Sequence, residues 1–128
     1  MVETIEQLAD EVIAYAVREQ ATDIHMTPRN KDYLIQLRKT NKLIPYKKLR
    51  KDACERLISH FKFAASMDIG ERRRPQSGSY ACYVDGHLIN LRLSTLPSND
   101  NESLVIRILP QYEKIPFDDL SLFPSTTK

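Results

Sequence analysis

The chain has 128 residues, of which 41% are hydrophobic and 28% charged, with 19 basic and 17 acidic groups leaving a formal net charge of +2. That make-up suits one globular domain with a core of its own, and it lacks the low hydrophobicity of a disordered chain. Two cysteines, Cys54 and Cys82, are too few for a four-ligand zinc site or a disulfide scaffold, and the longest apolar run, Val12 to Val17, falls far short of the roughly 20 residues of a membrane span.

Thr4 followed by Gln7 is a capping-box pattern, and Ile5, Leu8, Ala9, Val12, Ile13 and Ala16 recur at helical spacing, so a helix is expected near residues 4–20. From Thr22 to Thr27 the period changes to two, with Ile24 and Met26 on one side and Asp23, His25 and Thr27 on the other. Pro28 and the polar residues after it are expected to stop this strand. Tyr33, Ile35 and Leu37 continue the alternation, Thr40 and Asn41 form a turn, and Leu43–Leu49 reads as a short third strand placed at an edge by Pro45. Asp52 is expected to cap a second helix carrying Ala53, Leu57, Ile58, Phe61, Ala64 and Ala65, which the region of Gly70 and Pro75 ends.

The last third holds the clearest local signal. Gly78–Val84 and His87–Thr95 flank Asp85-Gly86, a dipeptide that tolerates positive φ and closes two-residue hairpins. A polar loop, Pro97 to Glu102, separates this hairpin from a further strand, Ser103–Leu109. The order predicts an α+β domain over residues 1–110, an antiparallel sheet of about six strands with two main helices on one face. A PAS-like arrangement fits that order. Pro110, Pro116 and Pro124 punctuate the tail, whose residues 111–128 read as a linker with one apolar knot, Phe117–Phe123, expected to make a single helical turn.

Strand register brings chemistry into view. Symmetric closure of the loop at 97–102 sets Leu93 opposite Ile106, Leu91 opposite Ile108 and Thr95 opposite Leu104, giving one apolar face. Arg92 then stands opposite Arg107 on the other face. Like charges so placed destabilise a sheet by a few tenths of a kcal/mol up to about 1. Water and nearby carboxylates are one answer to that repulsion. An anion is the other, since the guanidinium fork matches phosphate oxygens and does not lose its proton. The chain has no phosphate cradle: its three glycines, Gly70, Gly78 and Gly86, are isolated, and no Gly-x-x-x-x-Gly-Lys-Ser/Thr occurs. On the anion reading, a nucleotide would be held elsewhere and Arg92 and Arg107 would act as arginine fingers.

Four boxes in order carry a family resemblance. Ala21 to Pro28, Met67 to Gly78, Leu91 to Pro97 and Glu102 to Leu109 resemble the N-terminal domain of the type II secretion and type IV pilus assembly ATPases, over about residues 4–110. The basic third strand, Arg56 to Phe63 and the Ser103–Leu109 strand look most similar to the competence branch of Gram-positive bacteria, which powers a DNA-uptake pseudopilus. The resemblance implies a PAS-like domain joined by a short linker to a RecA-like ATPase domain, a homo-hexamer at the inner face of the cytoplasmic membrane, and an integral membrane platform protein as partner. It implies ATP and Mg in the longer protein and no cofactor in this piece. The chain stops at Lys128, where that ATPase domain is expected to begin, so this stretch alone would not hydrolyse ATP. The family's arginines that contact ATP phosphates match Arg92 and Arg107. Two departures stand out: Ser77-Gly78-Ser79 replaces an Asp-Gly-Arg, putting Ser79 opposite Arg92 where a third arginine would be, and Asn101-Glu102 replaces a Gly-Glu.

Arg72, Arg73 and Arg74, two of them within a family box, are expected to contact a neighbouring subunit or the nucleotide, although such a triplet in a loop is often merely solvated. His25 and Asp23 are expected to serve structure, His25 by hydrogen bonding and Asp23 as a local cap. Cys82, on the apolar face, is expected to be an inert buried thiol, and Cys54 has no histidine partner signature. Basic residues gather in Lys42–Lys51 (Lys42, Lys47, Lys48, Arg50, Lys51), which suggests the alternative of a nucleic-acid or anionic-surface module. Cations on an edge strand more commonly block edge pairing, and direct nucleic-acid binding is not expected. A PAS-type small-molecule sensor would need polar groups pointing into a roomy core, and none is evident. Few cysteines, and an acidic start (Glu3, Glu6) unlike a signal peptide, point to a reducing, cytoplasmic setting.

Overall fold

The computed structural model describes residues 3–110; the expected linker at 111–128, with its turn at Phe117–Phe123, lies outside them. The elements are α1 (Ile5–Arg18), β1 (Asp23–Arg29), β2 (Asp32–Lys39), β3 (Lys42–Arg50), α2 (Lys51–Ala64), β4 (Gln76–Val84), β5 (His87–Ser98) and β6 (Asn101–Ile108). Six antiparallel strands form one sheet in the order β3-β2-β1-β6-β5-β4. The strand nearest the amino terminus is therefore central, flanked by β2 and by the last strand.

Local chemistry accounts for most element ends. The Thr4 hydroxyl accepts from the Gln7 N–H at 3.0 Å and the Gln7 side chain accepts from the Thr4 N–H at 2.9 Å, so two of the orphan donors at the start of α1 are satisfied. Asp85 and Gly86 adopt φ of 51° and 82°, turning β4 into β5 in two residues. Three expectations shift. The β5–β6 connection is tighter than a six-residue loop: β5 runs through Ser98, β6 starts at Asn101, and Asn99 takes a φ of 56°. Strand β1 passes through Pro28, which lies beyond Met26, where pairing with β6 stops, so the missing N–H breaks no bond of that ladder. Asp52 is not the cap of α2; Arg50 holds the N-cap position and Asp52 sits in the first turn, accepting from the Ala53 N–H. Pro45 does lie on the edge strand, beside a bulge in the β2–β3 pairing.

Alternation divides the sheet. Ile24 and Met26, Tyr33, Ile35 and Leu37, Ile89, Leu91 and Leu93, and Leu104 and Ile106 point to one face, where α1 and α2 cover them with Leu8, Val12, Ile13, Ala16, Cys54, Leu57, Ile58 and Phe61. Of the two thiols it is Cys54 that is fully buried, and burial pushes it up to about 12; Cys82 is half-buried, contrary to expectation. Into this core the sequence also places one ion pair that its apolar pattern hides. Lys62 of α2 donates to both oxygens of Glu102 on β6, at 3.1 and 2.9 Å, and to the Glu71 carbonyl at 2.9 Å. The side chains are 1% and 4% exposed. The Tyr33 hydroxyl donates to the Glu102 carbonyl at 2.7 Å, joining β2 to the same point.

The segment that follows α2 presses on β4. A Cβ at Gly78 would stand 2.7 Å from Met67 Cγ and 2.8 Å from the Ala65 carbonyl oxygen, so Gly78→Ala should destabilise the chain by about 1–3 kcal/mol in urea unfolding. Lys62→Met strands a buried carboxylate and should cost about 3–5 kcal/mol in the same assay, most of it recovered when Glu102→Leu removes the partner too.

Candidate functional site

The uncovered face of the sheet carries the site. Because Arg92 and Arg107 have the opposite parity to Leu91, Leu93 and Ile106, both point away from the helices, and the register sets them directly opposite each other. Ser79 faces Arg92 from β4, in the place where an arginine is missing. On the other side, Asp23 faces Arg107 from β1, and Arg38 faces Asp23 from β2. One row across five strands thus reads Arg38, Asp23, Arg107, Arg92, Ser79.

This row answers the repulsion between the two arginines only in part. The Asp23 carboxylate, 7% exposed, accepts from Arg107 Nε at 3.1 Å and lies 3.6 Å from Arg38 Nε. Asp23 is therefore a cross-strand counterion and not a local cap. Arg92 is exposed and has no carboxylate partner among the described residues. Three cations and one anion leave the row strongly positive, as an anion site requires. Beside Arg92 the face opens into a cleft of about 530 Å³ lined by Ser79, Ala81, Asn90 and Pro110.

His25 lies one step along β1, opposite Gln36 and Val105. Its expected structural hydrogen bond is absent at Nε2, which is buried without a partner among the described residues. Burial holds the imidazole below its ordinary value, with Arg38 and Arg107 pushing the same way and Asp23 opposing, so it is neutral at pH 7.

The arginine triplet is elsewhere. Arg72 donates to Glu55 at 3.2 Å and its Nε lies 4.0 Å from the Glu102 carboxylate, which belongs to the helix-covered side of the sheet. Arg73 and Arg74 are exposed beside it. The structure thus joins Arg92 and Arg107 and keeps the triplet apart from them. Of the basic segment 42–51, Lys47 lies 3.8 Å from Glu11 and Arg50 lies 3.5 Å from Asp52, while Lys48 borders an open groove with Arg29 and Lys31. The segment is the edge strand β3. No helix among the described residues is long and apolar enough to cross a membrane, and no metal-type cluster of His, Cys, Asp or Glu occurs among them.

Sequence reasoning missed Asp23 and Arg38 as partners of the pair. The signal for Asp23 was its place on the polar side of an alternating strand, but seeing it face Arg107 needs β1 paired with β6, more than 80 positions away.

The family model described as Type II/IV secretion system protein matches residues 2–128. The chain is 46% identical over 124 residues to competence protein ComGA of Bacillus subtilis, covering 97% of this chain and 35% of that protein. It is 37% identical over 121 residues to the type IV pilus assembly ATPase PilB of Thermus thermophilus, covering 93% of this chain and 14% of that one. Among solved structures, the Legionella pneumophila ATPase DotB shares the fold, with a TM-score of 0.61 at 14% identity over 89% of this chain and 34% of that chain. The chain spans about a third or less of the length of these relatives.

Proposed function

Because the chain belongs to the type II/IV secretion system protein family, we propose that it is the N-terminal regulatory domain of a competence or type IV pilus-type assembly ATPase, supplying Arg92 and Arg107 to ATP bound on a RecA-like domain. The observation that carries this reading is the exposed Arg92 set directly opposite Arg107 on the helix-free face of the sheet. No phosphate-binding glycine loop occurs in the chain, so its residues serve a triphosphate and its Mg held by the other domain, which residues 111–128 lead towards. The two guanidiniums bring fixed positive charge and several N–H donors to the phosphate oxygens. Charge that grows there during phosphoryl transfer is stabilised by donors already in place, which lowers the barrier more than it tightens binding of the ground state.

The relatives named for competence and for pilus assembly support a place in a machine that builds a pseudopilus for DNA uptake. In that machine the longer protein forms a homo-hexamer on the cytoplasmic side of the membrane and meets an integral membrane platform protein. The basic strand β3 carries the alternative, an anionic-surface or nucleic-acid contact. Its edge position and the partners of Lys47 and Arg50 favour the plainer role of keeping the sheet edge free.

In the full-length protein, Arg92→Ala and Arg107→Ala should each slow ATP turnover by about 10³-fold, the scale of a lost arginine finger. Arg92 is exposed and unpaired, so Arg92→Ala should move the unfolding free energy by only about 0.5 kcal/mol, whereas Arg107→Ala also strips the buried Asp23 carboxylate of its donor and should cost about 1–3 kcal/mol. Steady-state hydrolysis at the wild-type rate in both variants would overturn the role.

A further inference from the structure

We infer that Asp23, shared between Arg107 and Arg38, is the positioning residue that fixes Arg107 through its Nε and so leaves the end of its guanidinium fork free for phosphate. The inference rests on the proposed function and adds to it a residue outside the arginine pair.

The geometry around Asp23 is set by backbone. Strand β1 is central, and the residue before Asp23 is tied on both sides: the Thr22 N–H donates to the Arg38 carbonyl and the Ile108 N–H donates to the Thr22 carbonyl, each at 2.9 Å. Asp23 therefore stands between Arg38 and Arg107 by register, with little freedom to follow either. Its carboxylate is 7% exposed, whereas the side chains it holds are 65% (Arg107) and 42% (Arg38) exposed. A rooted anion thus grips two cations whose far ends reach into solvent. A carboxylate this buried requires such partners, and they are the arginines it positions.

The manner of the grip matters. Elsewhere on the molecule Arg18 meets Asp85 alone, and the contact is bidentate: Nε donates to Oδ2 at 3.0 Å and Nη2 to Oδ1 at 2.8 Å. That guanidinium has spent one edge of its fork. At Asp23 the two oxygens are divided, Oδ1 accepting from Arg107 Nε at 3.1 Å and Oδ2 facing Arg38 Nε at 3.6 Å. Sharing with Arg38 keeps Asp23 from taking Arg107 along a whole edge. The terminal Nη groups of Arg107 make no hydrogen bond among the described residues, and the register sets Arg107 directly opposite Arg92. Holding a catalytic cation in place before the phosphate arrives removes a reorganisation that would otherwise be needed at the moment of reaction.

The test uses the full-length protein with ATP. Asp23→Asn keeps the shape and removes the charge; kcat should fall about 10-fold to 100-fold, as for a misplaced catalytic group, while KM for ATP stays within about threefold, because the interaction belongs to the transition state. In an Arg107→Ala background Asp23→Asn should have no further effect, which a merely structural role would not produce. Should Asp23→Asn fail to fold, Arg38→Gln tests the same point from the solvent side: Asp23 then takes Arg107 as Asp85 takes Arg18, and kcat falls again. Three results would overturn the inference. Wild-type kcat in Asp23→Asn or, in its stead, in Arg38→Gln, where Arg107→Ala is slow, removes the positioning role alone. Losses that multiply in the double variant show Asp23 acting independently of Arg107. A wild-type rate in Arg107→Ala removes the proposed function and the positioning role with it.

Discussion

Everything in this domain hangs on the antiparallel register of β5 and β6. Side chains along a strand alternate with a period of two, so a single alignment decides which residues of both strands face the helices and which face solvent. With Leu93 opposite Ile106, the apolar set closes the core; in the same stroke Arg92 meets Arg107 on the uncovered side. The two arginines owe their proximity to the hydrophobic pattern of their neighbours. Attraction between them plays no part, since they repel, and the pattern on the other face supplies the free energy that holds them together.

The uncovered face shows two ways of treating charge. Arg107 is tied to an acid from the neighbouring strand, while Arg92 is left to water. A domain that needed only a stable sheet would gain from an acid at the place of Ser79, opposite Arg92, yet a neutral hydroxyl stands there. The row across the face without helices carries three cations and one anion. The basic edge strand is a different case, because its cations are spread along β3 and two of them lean on acids of the two helices, Lys47 on Glu11 and Arg50 on Asp52.

Much of this was legible in the sequence, for identifiable reasons. The capping box at Thr4 and Gln7, the Asp85-Gly86 turn, the edge position of the strand with Pro45 and the pairing of Arg92 with Arg107 all rest on rules that act over a few residues or across one tight turn. What escaped rests on pairings distant in sequence. Asp23 meets Arg107 only because the first strand docks against the last, and Lys62 meets Glu102 only because α2 crosses that strand. Signals for the second pair did exist. Lys62 follows Ile58 by one helical turn on the buried stripe, and Glu102 has the parity of Leu104 and Ile106, so each charge sat in an apolar position awaiting the other. The family boxes at Ala21 to Pro28 and Glu102 to Leu109 contain both members of the first pair, Asp23 and Arg107, and one member of the second, Glu102.

The buried ammonium of Lys62 also polices how the chain pairs with itself. Were β6 to slide by one position, Glu102 would turn outward, Ser103 would turn in, and Lys62 would be enclosed with no anion to meet it. Loss of one partner from such a pair costs several kcal/mol, a large share of what holds a domain of this size together. Greasy side chains alone tolerate a shifted neighbour of similar bulk; a lone cation in oil does not. Misaligned hairpins are thereby expelled from the compact state, and the alignment that survives is the one that sets both arginines on the same open side.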